Sequence, residues 1–134
     1  FAIEFASRHP HKVRGVILCD YPPRYIKRTK EWAVRVQTSF SKVKSFVIAA
    51  LQEESGDISL VEKLKNIDCP AFVIHGGQEG SLLHQEDLDA YTKHLKSVQV
   101  ETFKNSGHEL WNPDYFKFVK TIQKMIHTFD HSNE

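Results

Sequence analysis

Residues 69–83 read Cys-Pro-Ala-Phe-Val-Ile-His-Gly-Gly-Gln-Glu-Gly-Ser-Leu-Leu, and the fold follows from how this stretch divides. Residues 70–75 form a short, nearly continuous apolar run. Such a run suits a strand covered on both faces, as in a parallel sheet; a half-solvated strand would alternate instead. Gly76, Gly77 and Gly80 surround its end and predict a tight turn, not a phosphate loop, because no Gly-x-Gly-x-x-Gly is present. An amphipathic helix is predicted over 84–96. Its Glu86 and Asp87 lie near the positive end of the helix dipole.

Moving outwards, residues 98–103 predict another strand. Residues 13–19 (VRGVILC) predict one more of the buried type, broken by Asp20, Tyr21, Pro22 and Pro23. Phe1, Ala2, Phe5 and Ala6 are at helical spacing, and Pro10 stops that helix. Over 29–53, Trp32, Val36, Phe40, Val43, Val47 and Ala50 recur at three- and four-residue steps and predict one long helix. Ser59 and Glu62 have the spacing of a capping box for a short helix through 65. Residues 105–112 read as a loop. Residues 113–129 read as a final helix with Phe116, Val119, Ile122, Met125, Ile126 and Phe129 on one face. The tail after Asp130 is polar and expected to fray. Strands alternating with helices imply three parallel strands with flanking helices, joined by right-handed crossovers and interrupted by a helical insertion over 21–68.

Composition supports a single globular domain: 134 residues, 40% hydrophobic and 26% charged, with a formal net charge of +1. That balance gives no electrostatic footprint for nucleic acid. The basic residues Arg24, Lys27, Arg28 and Lys30 read as a solvated helix entry. No apolar stretch is long enough to span a bilayer, and two cysteines make no disulfide framework, so a cytoplasmic setting is expected. Cys19 is expected in the core rather than as a nucleophile. His127 and His131 share a helical face but lack further ligands, so neither a metal site nor any other cofactor is expected. The apolar spacing is already under way at Phe1, which leads us to expect a preceding segment.

In open parallel sheets, functional groups gather at the C-terminal ends of the strands. Asp20, Glu79 and His108 fall at three such ends. A carboxylate that fixes the tautomer of an imidazole makes it a general base.

These residues carry a resemblance to the α/β-hydrolase superfamily. CPAFVIHGGQEGSLL resembles that fold's seventh strand, which leads to the triad acid; the matching position is Glu79. FKNSGHELW (103–111) resembles the ending of strand eight, which presents the catalytic histidine; the matching position is His108. FAIEFASRHPHKVRGVILCD resembles the helix after the nucleophile together with strand six. The resemblance implies the C-terminal part of such a fold, with a short lid in the insertion. It implies His108 as general base and Glu79 as the acid. Asp20 is the alternative acid, since some members place the acid after strand six. The Gly-x-Ser-x-Gly elbow that would bear the nucleophile does not occur in these residues. Tyr21, Trp32 and Trp111 are candidate substrate contacts.

The implied activity is hydrolysis of an ester or a related bond in a small molecule. A missing N-terminal half or a homodimer is expected to cover the exposed sheet edge. The missing elbow, and Glu where the family mostly has Asp, also fit a non-catalytic binding module of the same fold. A nucleotide-binding doubly wound domain would need a Gly-rich first turn, which is absent.

Overall fold

The computed structural model describes residues 1–131. The expected fraying of the polar tail concerns residues 132–134, which lie outside the described residues. The described contacts gather into two compact units, one of residues 1–23 and 60 onward, the other Arg24–Ser59.

The first unit holds a three-stranded parallel sheet. β1 (Val16–Cys19) pairs with β4 (Ala71–Gly76), which pairs with β5 (Val98–Phe103), in the order β1-β4-β5. The register sets Cys19 beside Ile74, and Gly76 beside Phe103. β4 is central and almost wholly buried, as its unbroken apolar run requires. Successive side chains point to opposite faces. Phe72 and Ile74 meet Phe103, Leu110, Met125 and Phe129, the last two from α6 (Tyr115–His131). The rings of Phe72 and Phe129 lie 5.4 Å apart, tilted by 50°. Ala71 and Val73 are buried on the other face.

The remaining helices of this unit are α1 (Ala2–Arg8), α4 (Val61–Leu64) and α5 (Gln85–His94). They contribute the buried Ile3, Ala6, Leu64, Leu88 and Tyr91. α1 ends before Pro10, which opens a single 3-10 turn. Asp87 starts α5 by accepting from the backbone N–H of His84 at 3.1 Å. Asp114 caps α6 in the opposite sense, its side chain accepting from the Lys117 N–H inside the helix at 2.9 Å.

The second unit departs from expectation. The single helix expected over 29–53 is two helices, α2 (Lys30–Ser39) and α3 (Ser45–Glu54). Phe40 leaves helical geometry at φ −124°, ψ 64°. The side-chain amide of Gln37 then donates across the turn to the Val43 carbonyl at 3.0 Å. The unit closes on a short antiparallel pair, β2 (Arg24–Tyr25) with β3 (Ile58–Ser59). Ser59 is therefore in a strand, and Leu60 precedes α4 without a side-chain cap. The backbone pairing wins because it places Ser59 opposite Arg24.

Candidate functional site

β1 ends at Cys19 and leads into Asp20, whose backbone N–H still donates to Ile74 on β4 at 2.7 Å. At Asp20 the chain turns into the left-handed region, φ 45°. Asp tolerates that region better than most residues, and non-glycine residues held there gather at functional sites. The turn leaves the Asp20 side chain fully buried. A buried carboxylate has to be met by donors, and four surround this one. Oδ1 accepts from the Gly76 backbone N–H at 2.9 Å and from the Ser81 hydroxyl at 2.6 Å. Oδ2 accepts from the Leu82 backbone N–H at 2.9 Å and meets Nδ1 of His108 at 3.1 Å.

His108 reaches this position because the loops after β4 and β5 interlock at glycines. A Cβ on Gly76 would stand 2.3 Å from the Gly107 carbonyl oxygen, and a Cβ on Gly107 would stand 2.8 Å from that of Glu79. The sequence suggested that Gly76 and Gly77 permit a tight turn. What Gly76 supplies is room for another backbone. The β5 loop closes on itself through the Ser106 N–H, which donates to Phe103, and the Gln78 N–H donates to Ser106 across the two loops.

The carboxylate paired with His108 is thus Asp20 and not Glu79, the position first expected from the sequence. Glu79 is exposed, and its carboxylate has no hydrogen-bond or ion-pair partner among the described residues. It lies on the wall of an open cleft of about 500 Å³, together with His108, Glu109 and Asn112. The physical difference is depth. Asp20 leaves β1 inside the sheet's end, where donors converge, whereas Glu79 sits on the outer turn. Ser81, which no motif singled out, is the residue that sequence reasoning missed. Its only signal was its place two residues beyond the strand-end carboxylate.

Tyr21 is half-buried, and its carbonyl accepts from the Tyr91 hydroxyl at 2.8 Å. Trp111 is 48% exposed and meets Phe118 edge-on at 6.3 Å. Trp32 belongs to the second unit, where the Arg28 guanidinium stacks over its ring at 5.1 Å. Cys19, expected in the core, is an exposed position at the end of β1. Partial desolvation, then the Asp20 charge, hold its thiol above the ordinary value. Among the described residues no group of three or more His, Cys, Asp or Glu could hold a metal ion. No helix among them is long and apolar enough to cross a membrane.

Backbone N–H groups can only donate, so the surroundings of Asp20 suit an acceptor-only carboxylate. A neutral ring that donates to this acceptor through Nδ1 leaves Nε2 to accept a proton. The ring is 46% exposed. A half-open imidazole backed by a buried carboxylate can take a proton from a neighbouring hydroxyl or water and return it.

No family model matches the sequence, and no curated protein matches it. Solved structures do match the fold. Proline iminopeptidase of Mycobacterium smegmatis superposes with TM-score 0.69 at 14% identity, over 99% of this chain and 63% of its own. MGS-M2, an alpha/beta hydrolase enzyme from a Medee basin deep-sea metagenome library, superposes with TM-score 0.70 at 14% identity, over 94% of this chain and 60% of its own. A thermophilic esterase gives TM-score 0.67 at 14% identity, over 96% of this chain and 62% of its own. The chain therefore has a partial α/β-hydrolase fold, spanning about three-fifths of the length of these neighbours. At such identities the likeness establishes the fold alone.

Proposed function

We propose that this chain carries the acid–base half of an α/β-hydrolase active site, with His108 as general base and Asp20 as the residue that orients and stabilises it. The observation that carries the reading is the 3.1 Å approach of His108 Nδ1 to a fully buried Asp20. The nucleophile, a Ser or less often an Asp or Cys, would come from a segment outside these residues. With a Ser, His108 would take its proton as the substrate carbonyl is attacked, pass it to the leaving group, and then activate water to release the acyl group. The substrate would be a small molecule with an ester or related bond. Tyr21 and Trp111, which share a unit with Asp20 and His108, are its candidate contacts.

The test is turnover of p-nitrophenyl esters by the protein translated with its upstream coding region. His108→Ala should abolish turnover. Asp20→Asn should lower kcat by roughly a thousandfold or more, because the amide favours the wrong tautomer. Glu79→Gln should leave kcat nearly unchanged. An inactive wild type, or activity that survives His108→Ala, would favour a non-catalytic module. Loss on Glu79→Gln with an unaffected Asp20→Asn would move the acid to Glu79.

A further inference from the structure

Three groups besides His108 hold Asp20, and two are backbone amides that any residue would supply. The third is the hydroxyl of Ser81. We propose that Ser81 is a positioning residue, fixing the rotation of the Asp20 carboxylate so that Oδ2 faces His108. The proposal rests on reading Asp20 and His108 as the acid–base pair.

A carboxylate turns about its Cβ–Cγ bond, so placing one oxygen against an imidazole means holding both. Adjacent residues do this from one loop. Ser81 binds Oδ1 through its hydroxyl, and Leu82 binds Oδ2 through its N–H. The Ser81 contact, 2.6 Å, is the shortest of the four around Asp20, and the His108 contact, 3.1 Å, is the longest. The shorter distance belongs to the charge-assisted O–H···O⁻ range. The held carboxylate therefore positions the ring, not the reverse.

Ser81 is itself set for this task. Its hydroxyl has one proton to give. Its other acceptor, the Leu83 carbonyl, lies at 3.3 Å, well beyond the 2.6 Å to Asp20. The Leu83 N–H donates to the same hydroxyl oxygen at 3.4 Å. The donors run from Leu83 N–H through the Ser81 hydroxyl to Asp20, which His108 meets at the other carboxylate oxygen. Without the hydroxyl, Oδ1 keeps only the Gly76 N–H and Oδ2 the Leu82 N–H, so the carboxylate loses its shortest bond and is held less firmly.

Ser81→Ala, Ser81→Cys and Ser81→Thr would be compared in the protein that includes the upstream segment. Cys has nearly the shape of Ser but donates weakly, so it removes the bond with little change of packing. Ala and Cys should each lower kcat on the order of tenfold, the equivalent of one charge-assisted hydrogen bond, with KM within about twofold. Both should shift or broaden the downfield His108 Nδ1 proton resonance, and Thr should restore kcat and the resonance. A lowered unfolding midpoint with unchanged kcat and an unchanged resonance would make Ser81 merely structural and overturn the proposal. If the wild type is inactive but the resonance still responds to Ala and Cys and recovers with Thr, the hydrolase reading fails and the positioning role stands.

Discussion

Replacing Gly76 with Ala should separate His108 from Asp20 without touching either side chain. The new Cβ would stand 2.3 Å from the Gly107 oxygen, 2.8 Å from its carbonyl carbon and 2.9 Å from the Ser106 oxygen. All three are backbone atoms, so no side chain can swing aside. Ordinary contact begins near 3.4 Å, so the two loops must part by roughly 1 Å. Gly107 is itself packed against Glu79, which limits its retreat. The His108–Asp20 contact, at 3.1 Å, has little slack before it ceases to be a hydrogen bond at about 3.6 Å. Transmitting even half the displacement would break it. Overpacking of this kind costs about 1–3 kcal/mol, enough to lower the thermal midpoint by several degrees in a domain of this size. The assay is urea unfolding together with amide hydrogen exchange at residues 106–108. We expect a lower midpoint and faster exchange there. Gly56→Ala is the control, since a Cβ at Gly56 meets nothing within 4 Å. A Gly76→Ala protein that matched the wild type in both readouts would refute the reasoning that the glycine approach sets the site.

Two further outcomes follow from the same geometry. Desolvation and the Asp20 charge raise the Cys19 thiol, so less thiolate exists at neutral pH and alkylation by iodoacetamide should be slow, speeding up only in alkaline solution; Asp20→Asn removes the charge and should move that rise to lower pH, and an unmoved profile would rule out the coupling. The outer edge of β1 has no strand partner among the described residues, and Phe1 and Phe5 are 93% and 53% exposed; light scattering on the 134-residue chain alone should show dimers or larger species, and a stable, soluble monomer would count against edge pairing.

The parallel sheet was legible because β4 is an unbroken apolar run, whose burial the sequence reports directly. α6 was legible as a helix, but its expected face was only partly right: Met125 and Phe129 are buried, Phe116 and Ile126 are exposed, and Phe118 packs against the core instead. The break between α2 and α3 was not legible, because residues 40–44 contain neither Gly nor Pro and the apolar spacing runs through them. The β2–β3 pair was missed because two residues per strand carry no period. At the site, strand-end placement brought out Asp20, Glu79 and His108 together. Which carboxylate meets the imidazole depends on how deep each turn lies, and depth is set by the Asp20 φ of 45° and by the loops that meet at Gly76 and Gly107. Residue spacing carries none of that. The same left-handed conformation explains why Asp20 resembles an ordinary turn residue in the sequence.

The pairing of His108 with Asp20 is best tested on the imidazole itself, by long-range ¹H–¹⁵N NMR of the ring nitrogens in the wild type, Asp20→Asn and Glu79→Gln. A protonated Nδ1, a tautomer lost or reversed in Asp20→Asn and one left intact in Glu79→Gln are the predicted results. A ring protonated on Nε2 in the wild type, or one that responds to Glu79→Gln and ignores Asp20→Asn, would contradict the account.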